Sequence, residues 1–490
     1  MLILVVCSVG FDSQCQDSLV RQRFAGLGAV NDRDRAGLRP KGGISGRLEP
    51  VVGSHAWASP RRSQLAIFLL GTTNLLYVSV GLRFYAAETV IAVVVTVALI
   101  AGQLRWSLFR KETKVLLALG FCWLFGTALS NVISPGPGEE TLADMGTVLF
   151  TLCALTFFIE VLGSSRPLLI AYAWGMAVSP YLAYLAQPDH YVHTSPWRLG
   201  LGSGLTLLVL LLLTTRRIPA FASFAMVLGL AVVNFSLNAR GVGATLVAVL
   251  LFALILPRPR ANEGLHKSGA TLLKLVGMVL IAVLVGAVIY PLAAGSGLFG
   301  AGAQERYERQ SQYSSSYLLV ARPGPILAIP AIAKSPILGR GSDVQATTED
   351  LSSSRRLAAL MGINPSTLGG YLERTGPTGE RLPAVDGHSA LLSAWVTAGI
   401  FGALFFLQSA TYLVKALLAT GSSKGILWPM APFVLAGGIL NIFLNPQGVR
   451  TTLAFAIGIA VHVSASRSMP LQGLKKRSGI RAQSPSSVKG

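Results

Sequence analysis

Residues 199–213 read LGLGSGLTLLVLLLL, an apolar stretch that ends shortly before the basic pair Arg216 and Arg217. A stretch of this kind is typical of a helix that crosses a membrane and stops at a charged loop. Of the 490 residues, 52% are hydrophobic and 13% are charged, against about 25% charged in an ordinary soluble domain. This composition excludes a soluble enzyme, a coiled coil and a disordered chain. It predicts an all-α polytopic membrane protein.

Similar apolar runs divide the chain into about twelve predicted spans, with one long loop between the ninth and the tenth. The spans are expected near residues 65–81, 84–102, 115–133, 142–162, 168–186, 199–213, 218–236, 241–257, 271–291, 390–413, 426–444 and 449–466. The domains predicted from them are an N-terminal tail (1–62), spans one to nine (63–291), the long loop (292–389), spans ten to twelve (390–466) and a basic C-terminal tail (467–490).

The distribution of basic residues predicts the orientation of these spans. Lys and Arg number 41 against 21 Asp and Glu, a net charge of +20, and they concentrate in alternate loops and in the C-terminal tail. The positive-inside rule makes those loops cytoplasmic. Both termini are then cytoplasmic and the loop 292–389 is outside, as expected for a bacterial inner-membrane protein. The charge indicates anionic membrane lipids as partners rather than nucleic acid.

Two further features constrain the topology. The segment Leu318–Leu338 is apolar but contains two basic residues and four prolines, and a thirteenth span would move the basic tail outside. We therefore expect it to form a helix or re-entrant segment on the outer leaflet. Four cysteines in 490 residues predict no disulfide.

The first candidate functional segment is Asn238-Ala239-Arg240-Gly241-Val242-Gly243, which enters span eight from the outside. An arginine at this position is often a simple anchor at the membrane interface. The functional interpretation is a guanidinium that binds phosphate through its forked, permanently charged donors. The flanking glycines would allow a substrate or a helix to approach closely.

Two more candidate segments lie in the long loop. Arg322 precedes the turn Pro336-Ile337-Leu338-Gly339-Arg340-Gly341, and the loop ends in Asp386-Gly387-His388-Ser389 at the start of span ten. The first segment, with Arg322, is either a surface helix with basic anchors or the source of a second phosphate-binding arginine. In the second segment, His388 is either a solvated histidine or a general base that Asp386 orients.

Together these segments resemble the O-antigen ligase and polymerase superfamily, whose members transfer glycans from polyprenyl diphosphate. The matching residues are Arg240, Arg322, the turn at 336–341, and His388-Ser389 followed by Gly399-Ile400-Phe401-Gly402. Ala239 and Ser389 stand where the family more often has Ser and Asn. The resemblance covers residues 230–415 at the level of motifs.

The resemblance implies a metal-independent, inverting glycosyltransferase of lipopolysaccharide and cell-envelope polysaccharide biosynthesis, without a cofactor. Arg240 and Arg322 would bind the diphosphate of the polyprenyl-linked donor, and His388 would deprotonate the hydroxyl of a glycan or glycolipid acceptor. Asp386, Arg340 and Ser389 are expected to support them. No metal site is predicted, because the outer loops contain no Asp-x-Asp sequence.

Other functions fit parts of the same pattern. A polymerase of the same superfamily would use a second lipid-linked glycan as the acceptor, and the shared motifs do not separate it from a ligase. A twelve-span secondary transporter has the same even number of spans and cytoplasmic termini. The scarcity of acidic residues within the spans and the late, outward-facing loop count against transport. A purely structural membrane protein is the remaining alternative.

Overall fold

The protein is a helical membrane protein with a small cap of loop helices at one end of its helix bundle. The structure, a computed structural model, describes residues 60–80, 82–134, 138–216, 218–255, 290–311, 324–342, 344–363, 385, 388–420, 427–444 and 450–465. Within these ranges five helices are long and apolar enough to cross a membrane: Lys111–Ile133, Gly138–Leu162, Arg166–Ala186, Trp197–Thr215 and Ile400–Thr420. Several shorter apolar helices pack beside them.

Most of the described elements up to Ile255 follow one another with short connections, as expected for antiparallel neighbours. In chain order the described elements are α1 (Pro60–Thr72), β1 (Tyr77–Val80), β2 (Leu82–Tyr85), α2 (Ala86–Ile100), α3 (Lys111–Ile133), α4 (Gly138–Thr156, continued by a π-helix over Phe157–Leu162), α5 (Arg166–Ala186), α6 (Gly202–Thr215, preceded by a π-helix over Trp197–Leu201), α7 (Ala220–Ser236), α8 (Arg240–Ile255), α9 (Tyr290–Gly295), α10 (Ala301–Ser311), α11 (Gly324–Lys334), α12 (Thr348–Leu360), α13 (Ala390–Ala398), α14 (Ile400–Thr420), α15 (Met430–Leu444) and α16 (Arg450–Ala465).

Hydrogen bonds between helix ends fix the direction of the helices. The Met430 N–H donates to Thr214 Oγ1 over 3.4 Å, so α15 begins at the end of the bundle where α6 finishes. From the end of α6, the chain crosses the bundle through α7 and returns through α8, so α8 begins at the opposite end of the bundle. Helix α15 also finishes at that opposite end, which we call the loop end. The last helix, α16, runs away from the loop end, because His462 near its C-terminus contacts the Gly163 carbonyl between α4 and α5.

The core of the bundle is apolar and rich in aromatic rings. Phe158, Tyr172 and Phe455 are completely buried, and their rings meet edge-on or tilted with 4.7–5.6 Å between centroids, which joins α4, α5 and α16. A separate small core lies under the loop, where Ile326 and Leu327 of α11 pack with Ala358 of α12 and Val396 of α13. The loop is thus packed onto the bundle through α13.

The first predicted span, 65–81, is wrong in its second half. Helix α1 ends at Thr72, and strands β1 and β2 pair antiparallel with Tyr77 opposite Tyr85. The hydroxyl groups of Thr72 and Thr73 bond to carbonyls three residues earlier, an alternative to continued helix that these side chains favour at helix ends. The following Tyr and Val residues favour a strand.

The tenth predicted span, 390–413, is not continuous. It is divided into α13 and α14 at Gly399, which has φ +63° and ψ −149°, a conformation that residues with a side chain rarely adopt. The predicted surface helix within 318–338 is present over Gly324–Lys334, and its apolar face packs against α12 and α13. Helices α2 to α8 (with their π-helical extensions), α15 and α16 begin and end within four residues of their predicted spans.

Several predictions fall outside the described residues. These are most of the ninth span (271–291), most of the N-terminal tail, the C-terminal tail, and the side chains of Arg322 and Asp386. The number of spans therefore stays a prediction. Cys122 and Cys153, on α3 and α4, are free thiols.

Candidate functional site

The turn at residues 336–341 binds directly to the break between α13 and α14. The Arg340 N–H donates to the Val396 carbonyl over 2.7 Å, and the Gly341 N–H donates to the Thr397 carbonyl over 3.2 Å. In return, the Ile400 N–H donates to the Ile337 carbonyl over 3.1 Å. Two of the motifs that the sequence separates by about sixty residues thus form one structural unit, which we call the turn–break unit (residues 336–341 and 396–400).

Glycine is required on both sides of this unit. Gly339 has φ +76° and Gly399 has φ +63°. A Cβ atom at either residue would also collide with the backbone of the other segment. Backbone-to-backbone contact between the two segments therefore explains one glycine of each motif, Gly339 and Gly399.

The end of α3 holds the turn from the other side. The Ser342 N–H donates to Asn131 Oδ1 over 2.8 Å, and Asn131 Nδ2 donates to Ser342 Oγ over 3.1 Å. Ser130 Oγ donates to the Leu338 carbonyl. Both α3 side chains are buried. Sequence reasoning did not identify Asn131, although a Ser-Asn pair at the outer end of an apolar span was a visible signal.

A buried carboxylate holds together the small cap of loop helices, which consists of α11, α12 and the turn between them. Asp350 is inaccessible to solvent, and its side chain lies 2.7 Å from Arg340 Nη1 and 2.8 Å from Lys334 Nζ. Asp350 also forms a capping box with Thr347 at the start of α12. Burial alone would raise the pKa of Asp350, but the hydrogen bonds from Lys334, the Thr347 backbone and Arg340 outweigh it and lower that pKa well below its ordinary value.

The structure shows which contacts Arg340, predicted as a supporting residue, makes. Its guanidinium bonds to Asp350 and, through Nη2, to the Gln345 carbonyl at 3.4 Å, so its contacts join the turn to α12. Arg340 supports the site by holding the cap.

Removing the charge of Asp350 should loosen this cap. In Asp350→Asn, two cations lose their shared anion, which costs about 3 kcal/mol for a buried pair. Hydrogen exchange of residues 344–360, measured by mass spectrometry, should therefore accelerate about 100-fold at pH 7. The control is Glu349→Gln, because Glu349 also contacts Lys334 but its side chain is 76% exposed, so exchange should change little.

The same cluster predicts a pH dependence of cap stability. The pKa of Asp350 is lowered in the folded protein, so its stabilising effect is complete above the unfolded-state pKa and is lost as the pH falls through the folded-state pKa. The difference in exchange between the wild type and Asp350→Asn should stay constant from pH 7 to pH 5 and shrink only below about pH 4. A difference that disappears by pH 6 would show that Asp350 does not carry it.

His388 lies immediately before α13 in a strained backbone conformation. Its φ of +46° is unusual for a residue other than glycine, and strain of this kind is often found at functional sites. The neighbouring Ser389 explains how the strain is maintained. Ser389 is buried, accepts the Leu392 N–H as the helix cap, and donates to the Ile442 carbonyl of α15 over 2.9 Å. As the N-terminal capping residue of α13, Ser389 therefore supports the site structurally and fixes the position of His388.

Arg240 begins α8 after a similarly constrained turn. Asn238 has φ +63°, which asparagine tolerates better than most residues, and the Ala239 N–H donates to the Asn234 carbonyl over 2.7 Å. Arg240 is half-buried, and its Nε and Nη2 atoms are inaccessible to solvent. Part of the guanidinium therefore lies inside the protein, which a simple anchor at the membrane interface does not require.

The structure brings Arg240 and His388 to the same end of the bundle. Ser389 bonds to Ile442 near the end of α15, and α15 packs against α8, which begins with Arg240 at that end. Phe299 of the loop stacks on Phe235, five residues before Arg240, with ring centroids 5.6 Å apart. The loop thus contacts both sides of this region.

Arg450 is a functional candidate that sequence reasoning missed. It begins α16 at the loop end and donates to Glu88 Oε2 over 3.0 Å and to Thr147 Oγ1 over 2.6 Å. The Glu88 side chain is 7% exposed and that of Arg450 is 28% exposed, so the pair is largely buried but open on one side. The sequence did contain a signal for Arg450, because it is an arginine at the start of a predicted span, as Arg240 is.

This end carries acidic as well as basic side chains, since Glu139 and Glu140 lie in the first turn of α4 and Glu88 pairs with Arg450. Within the residues that the structure describes, no group of three or more His, Cys, Asp or Glu side chains is arranged to hold a metal ion. The described groups offer guanidinium donors at the starts of α8 and α16 and an imidazole at the start of α13. Such groups suit a phosphate-bearing substrate and a proton transfer.

Comparisons with known proteins add no family to this description. No protein-family model matches the chain, and no curated protein and no solved structure matches it. The functional argument therefore depends on the residues and contacts of this chain.

Proposed function

We propose that the protein is a membrane glycosyltransferase that moves a glycan from polyprenyl diphosphate to an acceptor hydroxyl at its loop end. The observation that carries the proposal is the turn–break unit. It joins two of the motifs that resemble the O-antigen ligase and polymerase superfamily, and α13 of that unit begins beside His388. The loop end would face outward from a bacterial inner membrane, since the basic loops lie at the opposite end.

Arg240 would bind the diphosphate of the donor. Negative charge on the leaving diphosphate increases as its bond to the anomeric carbon breaks, and a fixed guanidinium stabilises that charge. The Nε and Nη2 atoms of the Arg240 guanidinium are inaccessible to solvent, so the charged group itself is partly embedded in the protein and its movement is limited. A held cation needs little reorganisation during the reaction. Arg322 is proposed as the second cation on the resemblance alone.

His388 would act as the general base. The acceptor oxygen forms a bond to the anomeric carbon, the bond from that carbon to the diphosphate oxygen breaks, and the acceptor proton moves to the imidazole. Displacement from the opposite face inverts the anomeric configuration. Ser389 keeps His388 at the start of α13, and the turn–break unit fixes the other end of that helix. Asp386 is proposed to orient the ring.

Depletion in the cell of origin separates this proposal from its rivals. Loss of a transferase should leave the lipid-linked glycan accumulated in the membrane and the final polysaccharide absent, as measured by extraction and chromatography of both species. Loss of a transporter would remove the transported solute without accumulation of a polyprenyl diphosphate-glycan. Accumulated single repeat units, with surface glycans reduced to that length, would indicate the polymerase of the same superfamily.

A further inference from the structure

Helices α1 and α5 touch at a pair of glycines. A Cβ atom at Gly71 would lie 2.5 Å from the Tyr172 carbonyl oxygen, and one at Gly175 would lie 2.7 Å from the Gly71 Cα atom. Backbones that meet this closely fix the crossing point of the two helices. The crossing lies near the end of α1, so the starts of both helices lie away from it.

On the side of the crossing that is remote from the loop end, α1 and α5 leave a groove of about 450 Å³ between them. Its lining residues follow one stripe on each helix: Arg61, Gln64, Leu65 and Phe68 on α1, and Pro167, Ile170, Ala171 and Trp174 on α5. The spacing i, i+3, i+4, i+7 in both sets means that one face of each helix forms one wall. Ten residues of helix separate Arg61 from Gly71, a length of about 15 Å.

The polarity of the groove changes along this length. The walls nearer the crossing are apolar, with Phe68 on one helix and Trp174 on the other, whereas the mouth carries Arg61 and Gln64. None of the eight lining residues is acidic. Leu65 is 58% exposed, so the apolar wall is open to the surroundings. An apolar groove with a cation at its mouth matches an acyl chain joined to an anionic headgroup.

We propose that this groove binds one anionic glycerophospholipid of the cytoplasmic leaflet. The phosphate lies at Arg61 and an acyl chain lies between Phe68 and Trp174. The leaflet follows from the basic residues that gather at this end, which include Arg105, Arg110 and Arg166. The bound lipid fills the space between two helices that otherwise touch at their glycines. This inference does not depend on the proposed glycan transfer.

Native mass spectrometry of the purified full-length protein tests the lipid site, with phosphatidylglycerol and phosphatidylcholine of identical acyl chains as probes. The wild type should bind phosphatidylglycerol more tightly. Arg61→Ala should weaken that binding about fivefold and leave phosphatidylcholine unchanged, the effect expected of one cation near an anionic headgroup. The matched control is Arg216→Ala, because Arg216 is exposed at the same end but does not line the groove.

A second variant tests the apolar part. Ala171→Phe should fill the groove and reduce binding of both lipids, while the melting temperature of the protein stays near that of the wild type. Equal binding of the two lipids by the wild type would overturn the anionic assignment. Equal binding of phosphatidylglycerol by the wild type and Arg61→Ala would overturn the position of the headgroup.

Discussion

Replacing His388 with alanine should lower the turnover of glycan transfer by about 10²–10⁴-fold, the contribution expected of a general base. The imidazole is the group proposed to accept the proton of the acceptor hydroxyl, and its backbone is held in a left-handed conformation by the cap at Ser389. Binding of the lipid-linked donor should change little, because the arginines bind the diphosphate. The measurement is single-turnover transfer by purified protein, with donor binding measured separately.

A matched control uses another histidine. His193 stacks on Tyr184 with ring centroids 4.3 Å apart, in the connection between α5 and α6, and His193→Ala should retain most of the turnover. Wild-type activity should also fall in acidic solution, because only neutral imidazole accepts a proton. Near-normal turnover and an unchanged pH profile in His388→Ala would remove His388 from the mechanism and make Asp386 the next candidate.

Replacing Arg240 with alanine should abolish transfer. The side chain is proposed to bind the diphosphate, so Arg240→Lys should also retain little activity, since an ammonium does not reproduce the planar, directional donors of a guanidinium. The measurement is the initial rate of transfer together with the Kd of the donor. Both variants should bind the donor more weakly, unlike His388→Ala.

Burial makes a folding control necessary for this prediction. Because Nε and Nη2 of Arg240 are inaccessible, the variants should be compared with the wild type by gel filtration and thermal unfolding before their rates are interpreted. Arg105→Ala provides the matched arginine: it is exposed, lies at the opposite end, and contacts the Gly102 carbonyl, so transfer should be unaffected. Full activity in a folded Arg240→Ala would reduce Arg240 to a membrane anchor.

The sequence predicted the fold class and most helix positions because apolar runs and loop charges report directly on membrane helices. Prediction of helix ends from the sequence failed where a helix ends inside an apolar run. Thr72 and Thr73 end α1 inside a stretch that remains hydrophobic, and Gly399 divides a predicted span because another backbone segment packs against it. Hydropathy measures composition, and neither event alters it much.

The candidate site was predictable only in part. The turn at 336–341 and the glycines near 399 were recognised as separate motifs, but their contact joins segments far apart in the chain. The Arg340–Asp350 pair shows the same limit. The sequence contains no sign that Asp350 is buried, so it predicts Arg340 as a supporting residue without identifying the partner that it binds. Arg450 was overlooked because its partner, Glu88, is distant in sequence.

The central claim is that this chain alone transfers a glycan from polyprenyl diphosphate. The direct measurement is a reconstitution in liposomes of purified protein, a radiolabelled polyprenyl diphosphate-glycan and a glycolipid acceptor, with a chelator present. We predict labelled acceptor with inverted anomeric configuration and release of polyprenyl diphosphate in equal amount, and neither product with Arg240→Ala. Unchanged donor, or label that only moves across the membrane, would contradict the proposed function.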